Sequence, residues 1–410
     1  MQAVMPHSGG HPAPPPVSAV RRIPALVTQF AIPPEPFGMV GRDRLRLAFD
    51  APVTLVCAPA GSGKTALVAA EAQRAEHPVA WITLEPVDDE PERLWEAVLT
   101  ALELAGAVPA ECPLAALAAP VEASRGHFMP LLVNALATLP EPVILVLDDV
   151  HVLRHRECLR QLAFLVLHAP GTLRLVLTAR SDPVLPLHVL RVRGQLAEVR
   201  AADLAFTAQE ARELLDRHGL ALDDALVEAL HSRTEGWGAG LRLAALSLQG
   251  REDAETFVAA FAGDDRVVGD YLVAEVLDRQ PPRVRAFLLR TALVRRVCGS
   301  LADALTGDAD RAETLAALER SNGFVLGADG HREWFRYHRL FAELLRARAE
   351  RELAGELPAL HARAARWYAA HGVHVEALEH AVRAGEWDLA VEVVADHWLA
   401  LYVRGEAAAV

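Results

Sequence analysis

Residues 58–65 run Ala58-Pro59-Ala60-Gly61-Ser62-Gly63-Lys64-Thr65. This matches G-x-x-x-x-G-K-[ST] with Ala58 in the place of the first glycine, the spacing of a phosphate-binding loop (P-loop). Each part has a chemical reason. Backbone N–H groups of a turn entering a helix converge on phosphate oxygens. Gly61 and Gly63 let the backbone come close and take conformations closed to other residues. Lys64 would reach the β- and γ-phosphates, and the Thr65 hydroxyl would coordinate Mg²⁺. Lys64 is also the one lysine in a chain with 41 lysines and arginines. A compact ammonium fits a tight phosphate cradle where a guanidinium fork does not.

Three further groups belong to the same chemistry. Val143-Ile144-Leu145-Val146-Leu147 runs into Asp148-Asp149. A carboxylate at the end of a central strand is where Mg²⁺ is held across from such a loop, so Asp148 is assigned to the metal with Thr65. Asp149 is placed to orient an attacking water. Arg180 follows a strand ending at Thr178, where a cation can sense a γ-phosphate. Val40-Gly41-Arg42, ahead of the first strand, could line an adenine pocket. The expected ligands are ATP or ADP with Mg²⁺.

Several elements must position these residues. Strands are predicted at 53–57, 79–84, 143–147 and 173–178, with helices at 65–75 and 91–104. Near-continuous apolar strands alternating with helices predict a parallel α/β sheet covered on both faces. Beyond 208 the pattern turns helical: 209–218, 223–233 and 240–248. Helices at 283–291 and 312–320, a hairpin of 324–326 with 334–337, and a helix from His338 suggest a winged helix. From 357 the chain reads as helical hairpins, the start of a TPR-like array. The implied division is a proline-rich, disordered leader (1–21), a P-loop ATPase domain (22–207), a helical subdomain (208–281), a winged-helix-like subdomain (282–352) and the beginning of a repeat array (353–410).

Composition narrows the classes. At about 150 residues per domain, a length of 410 predicts roughly two to four domains. With 52% hydrophobic and 23% charged residues, most of the chain should be globular. No run of apolar residues is long enough to span a membrane. The net charge of −13 does not suit a general nucleic-acid binder. Cys57, Cys112, Cys158 and Cys298 lack metal or redox spacing. No secretory n-region and h-region opens the chain, so a cytoplasmic protein is expected.

At these residues the chain resembles the signal-transduction ATPases with numerous domains, and within them the MalT-like large LuxR-type regulators. The resemblance covers roughly residues 22–405. Beyond the P-loop it rests on Trp81-Ile82-Thr83-Leu84-Glu85, Leu147-Asp148-Asp149-Val150-His151, Leu177-Thr178-Ala179-Arg180, Glu235-Gly236-Trp237, Asp270-Tyr271-Leu272 and Tyr337-His338-Arg339-Leu340-Phe341. It implies an ATPase core, helical and winged-helix subdomains and a helical-repeat sensor. It also implies that His338 touches the β-phosphate of ADP in a closed state. Related switches carry Gly-x-Pro near the adenine; here Gly240-Leu241-Arg242 has Arg242 in the proline's place. Such regulators usually run to roughly twice this length and end in a DNA-binding helix-turn-helix. None is read here, so a part or a short relative is expected, reaching DNA only through a C-terminal module that is not present.

The resemblance implies a switch: ADP holds a closed monomer, while ATP and an unknown inducer or regulatory protein favour a self-associating form that slow hydrolysis resets. A turnover ATPase and a non-hydrolysing scaffold are the rivals. Against the first, taken as a P-loop kinase, no Arg-rich lid follows Asp149 in this chain; against the second, a non-hydrolysing relative needs no acid pair such as Asp148-Asp149.

Overall fold

The computed structural model describes residues 27–45, 49–120, 125–251, 253–322 and 324–403. The proline-rich leader lies outside the described residues. Five strands form the first sheet: β1 (Val53–Cys57), β2 (Val79–Thr83), β3 (Val143–Asp148), β4 (Leu173–Ala179) and β5 (Leu196–Arg200). Their spatial order is β2-β3-β4-β1-β5, all parallel. Successive side chains alternate between faces. Leu55, Leu145 and Leu147 pack under the helices Pro91–Leu104, Arg125–Ala137 and Arg156–His168. Val56, Ile144, Val146 and Val176 pack under the helix Lys64–Gln73. Burial on both faces is why the central strands are apolar throughout. On one face the Trp95 indole N–H donates to Gln161 Oε1 at 2.6 Å, tying two helices together inside the core.

Insertion of β4 between β1 and β3 follows from the register Leu55↔Leu177 and Leu147↔Leu177. It sets the site: the P-loop leaves β1, the acid pair leaves β3, and the end of β4 lies between them.

The helical subdomain comprises Ala208–Arg217, Asp224–Thr234, Gly238–Leu248, Ala254–Ala260 and Arg266–Leu272, the last running into a π turn at Val273–Leu277. Thr207 opens it with a capping box. Its hydroxyl accepts from the Glu210 N–H at 3.2 Å, and the Glu210 carboxylate accepts from the Thr207 N–H at 2.9 Å. The winged helix carries helices Pro282–Thr291, Gly299–Thr306 and Arg311–Asn322. Strands β6 (Val297–Cys298), β7 (Val325–Gly327) and β8 (Trp334–Tyr337) form its antiparallel sheet in the order β6-β8-β7. The helix Arg339–Glu352 follows, then Leu357–Ala370, His374–Ala384 and Trp387–Val403. One hydrophobic cluster runs from Val40 through the helical subdomain and winged helix to Tyr368 and Val393. Among the described residues no helix is long and apolar enough to cross a membrane.

Strands β5 and β6 and the helices 125–137 and 156–168 are not read from the sequence above. Strand β5 is a sheet edge whose Glu198 and Arg200 form ion pairs, so it lacks the apolar signature of its neighbours. Strand β6 has two residues, too few for a periodicity. Helix 125–137 carries Pro130, a breaker in sequence terms.

In the repeat hairpin, His361 Nδ1 lies 2.7 Å from His380 Nδ1, so one ring must donate and the other accept. Burial, then His361 and Arg383, pushes His380 down to about 3, and burial also lowers His361. Both pKa values are below the ordinary histidine value, so the unfolded state binds more protons and stability is lost as pH falls from about 6.5 toward these values. The melting temperature should therefore fall from about pH 7 to about pH 5, and fall less in His380→Gln. An unchanged slope in the variant would remove the pair from the account.

Candidate functional site

The P-loop bridges β1 and the helix Lys64–Gln73. Gly61 and Gly63 take φ of 73° and 85°, the left-handed region that glycine tolerates best. A Cβ on Gly61 would lie 2.5 Å from Ala239 Cβ and 2.9 Å from the Tyr271 hydroxyl. Ala58 needs no such freedom. Its methyl packs in the cluster with Val56 and Val68, and its N–H donates to the Ala179 carbonyl at 3.2 Å. This accounts for alanine in the first glycine's place. The buried Lys64 ammonium donates to the Pro59 carbonyl at 3.0 Å, one acceptor for its three protons. Burial lowers its pKa, with Asp149 and Asp148 acting against that shift.

Asp148 is 2% exposed. The Thr65 hydroxyl donates to its two oxygens at 3.0 and 3.1 Å, and the Thr178 hydroxyl to Oδ1 at 2.5 Å. Burial raises its pKa, against the Thr178 and Thr65 hydrogen bonds. Thr178 also accepts from the Asp149 N–H at 2.9 Å, so the end of β4 sets both acids. Asp149 has φ 64° and lies 3.3 Å from His151 Nδ1. Burial holds His151 down to about 4, so it is neutral near pH 7.

Two clefts flank the loop. One, of about 410 Å³, is lined by Val40, Gly41 and Arg42, by Gly61, Gly63 and Ala70, and by His218 and Arg242 of the helical subdomain. Arg42 lies 3.8 Å over the Phe206 ring and donates to the Leu204 carbonyl at 2.7 Å, and burial lowers it to about 10. The other cleft, of about 620 Å³, is lined by Ala60, His151, Arg180, Glu275 and Arg279 among others. There Arg180 donates to Glu275 at 2.9 Å, and Glu275 also accepts from Arg279 at 2.8 Å. Arg180 is thus directed at the π turn of the helical subdomain.

His338 lines a smaller cleft with Pro59 and Ser62. Its Nε2 donates to the Thr234 carbonyl at 3.0 Å and its Nδ1 has no hydrogen-bond partner among the described residues. Burial lowers its pKa, opposed by Glu235.

The structure brings together Val40–Arg42, the P-loop, Asp148 and Asp149, with Arg180 and His338 on separate flanks. Sequence reasoning gave no role to the residues that grip the loop, naming Glu235 and Trp237 only within the resemblance. The Trp237 indole N–H donates to the Ala60 carbonyl at 2.9 Å, and the Ala239 N–H to the Gly61 carbonyl at 2.9 Å. Glu235 pairs with Arg336 of β8 at 2.7 Å. Thr178 was also missed, although a hydroxyl near the end of an apolar strand was a usable signal.

A nucleotide phosphate and Mg²⁺ fit this donor set. Gly61 and Gly63 hold the loop in the left-handed region, the lysine has protons to spare, and Thr65 and Asp148 present a hydroxyl and a carboxylate within 3.1 Å.

An AAA domain matches residues 46–183, and a MalT winged helix domain matches residues 273–357. The chain carries the P-loop and winged-helix domains of MalT-like regulators. The HTH-type transcriptional regulator MalT of Serratia proteamaculans is 36% identical over 374 residues, which are 90% of this chain and 41% of that protein. The serine/threonine-protein kinase PknK of Mycobacterium tuberculosis is 33% identical over 356 residues, 86% of this chain and 32% of that one. The chain therefore spans well under half the length of these relatives. A Walker-type ATPase of Pyrococcus abyssi superposes with a TM-score of 0.49 at 17% identity, over 72% of this chain and 91% of that chain. In this MalT-like chain the P-loop lies between the sheet and the helical subdomain, whose Trp237 and Ala239 bond to it.

Trp237→Phe keeps an aromatic ring but removes the buried pyrrole half with its donor, leaving the Ala60 carbonyl without that partner. It should cost about 1–2 kcal/mol, read as a lower unfolding midpoint. An unchanged midpoint would show that the bond contributes nothing.

Proposed function

We propose that this MalT-like module is an ATP- and ADP-controlled switch that hydrolyses ATP slowly. The observation that carries the reading is the grip of Trp237 and Ala239 on the carbonyls of Ala60 and Gly61. A loop that adjusts to its phosphates must move the helical subdomain with it. Trp237 also packs edge-on against Phe324 and His338 of the winged helix, with ring centroids 5.4 and 5.9 Å away. Movement would pass through this indole to the next subdomain.

The geometry supports these roles. P-loop N–H groups and Lys64 bind the phosphates. Mg²⁺, when held by Thr65 and Asp148, would neutralise phosphate charge. Asp149, at the open end of the pair, orients water toward the γ-phosphate. Arg180 senses that phosphate and must leave Glu275 to do so, which loosens the contact between the sheet and the π turn. His338 holds the ADP state. Because its Nε2–H serves Thr234, a contact through Nδ1 requires the imidazolium, which the phosphate charge itself would favour against burial.

ADP would then keep the module closed. ATP, with an inducer or regulatory protein acting on the repeats, would favour an open, self-associating form. A ligand shifts this balance only by its differential affinity for the two states. DNA would be reached through a C-terminal module. The similarity of one stretch to a transcriptional regulator and to a protein kinase supports a control unit that serves different outputs.

Two substitutions test the site. Lys64→Ala should weaken ATP binding at least about tenfold, about 1.4 kcal/mol, in a calorimetric titration. Unchanged affinity in the folded variant removes the nucleotide site. Asp149→Asn suits the left-handed backbone, which asparagine tolerates, so the fold should survive. It should bind ATP with Mg²⁺ as before and hydrolyse it much more slowly in a phosphate-release assay. Equal rates would take the water-orienting role away from Asp149. Turnover within seconds by the wild type would favour a working ATPase over a switch.

A further inference from the structure

We infer that His218 selects adenine over 6-oxopurines, through a lone pair on its Nε2. This rests on the nucleotide reading above and adds the base-recognising residue to it.

His218 caps the helix Ala208–Arg217 and is 6% exposed. Its Nδ1 lies 2.8 Å from the Leu214 carbonyl oxygen. A carbonyl can only accept, so Nδ1 carries the proton. In the neutral ring Nε2 is then an acceptor. That atom is sealed from water and has no hydrogen-bond partner among the described residues. Buried acceptors are seldom left empty, and one that is empty calls for an explanation.

Its position supplies one. His218 lines the same 410 Å³ cleft as the P-loop. The helix Lys64–Gln73 makes one wall, with Ala66 and Ala70 one turn apart. At 1.5 Å per residue, Ala70 stands about 10 Å from Gly63, the span from a diphosphate to its base. Val40, Leu67 and Phe206 give its walls apolar surface, beside the charged Glu71, Arg74, Arg217 and Arg242. Gly38 lies against the imidazole so closely that a Cβ would fall 2.4 Å from Cε1. Phe37 meets the ring edge-on at 5.6 Å and is itself 72% exposed. For a base edge to reach Nε2, the exposed Phe37 would turn aside and its ring would lie against the base.

An adenine presents an amino donor at position 6, and guanine presents a carbonyl acceptor there. Hypoxanthine, also a 6-oxopurine, is like guanine at this position. The Nε2 lone pair would accept from the adenine amine and would face the 6-oxo oxygen as one acceptor against another. A buried polar group that is matched by one ligand and opposed by another discriminates strongly.

The test uses residues 1–410 and titration calorimetry with ADP, inosine diphosphate, the diphosphate of unsubstituted purine riboside and inorganic pyrophosphate. Wild type should prefer ADP to inosine diphosphate by about tenfold or more. The purine compound, with neither amine nor oxygen, should fall between them. His218→Leu should bring the three nucleotides within a few-fold of one another and leave pyrophosphate binding unchanged. His218→Gln, whose amide oxygen can accept, should restore part of the preference. If ADP binds and depends on Lys64 but wild type does not discriminate among the bases, the His218 assignment is wrong and the nucleotide site stands. If the preference persists in His218→Leu, another group reads the base. If neither ADP nor inosine diphosphate binds, both readings fail together.

Discussion

A loop that offers its N–H groups to an anion must satisfy its carbonyl groups elsewhere, because neither side of a buried peptide can stay unpaired. Three consecutive carbonyls of this P-loop each accept a hydrogen bond. Pro59 takes the Lys64 ammonium, Ala60 the Trp237 indole and Gly61 the Ala239 N–H. Two of the three donors belong to the helical subdomain. The loop is therefore shared between subdomains, and Gly61 has no room for a side chain because Ala239 and Tyr271 occupy that space. The winged helix leans on the same indole through Phe324 and His338, and Glu235 is salt-bridged to Arg336 of its wing.

The charges of the site depend on the same closure. Burial disfavours the ammonium of Lys64 and the carboxylate of Asp148 alike, and each moderates the other's shift. Two threonine hydroxyls hold the carboxylate in place, one from the P-loop helix and one from β4. Arg180 and Glu275 form a second tether across the domain boundary, and the carboxylate sits in a π turn, an irregularity often found at functional sites. The loop thus has the helical subdomain bonded to its carbonyls on one side and salt-bridged to the end of β4 on the other.

Much was legible in the sequence. The P-loop, the acid pair, the four apolar strands, the helix at 91–104 and the hairpin of the winged helix come from local rules: glycine at positive φ, β-branched runs, proline at a helix start and period-3.6 patterns. These depend on neighbours in the chain, so a linear reading recovers them. The residue types alone, a lone lysine in a glycine-rich turn and an acid after an apolar strand, also fix the class of chemistry.

What tertiary structure decided is pairing across long separations. No local pattern puts β4 between β1 and β3, so none assigns Thr178 to Asp148, 30 positions away. Trp237 is only part of a family signature until its N–H is seen on a carbonyl 177 positions earlier. Sequence offers Arg180 only a phosphate to sense until Glu275 is found opposite it, and Val40 only a place beside adenine until it joins the core of another subdomain. Edge strand β5 and two-residue β6 exist because a neighbouring strand offers hydrogen bonds, not because their own residues demand extension. Local conformation is set by short-range sterics and propensity, whereas partners of buried polar groups are set by which surfaces the fold brings together.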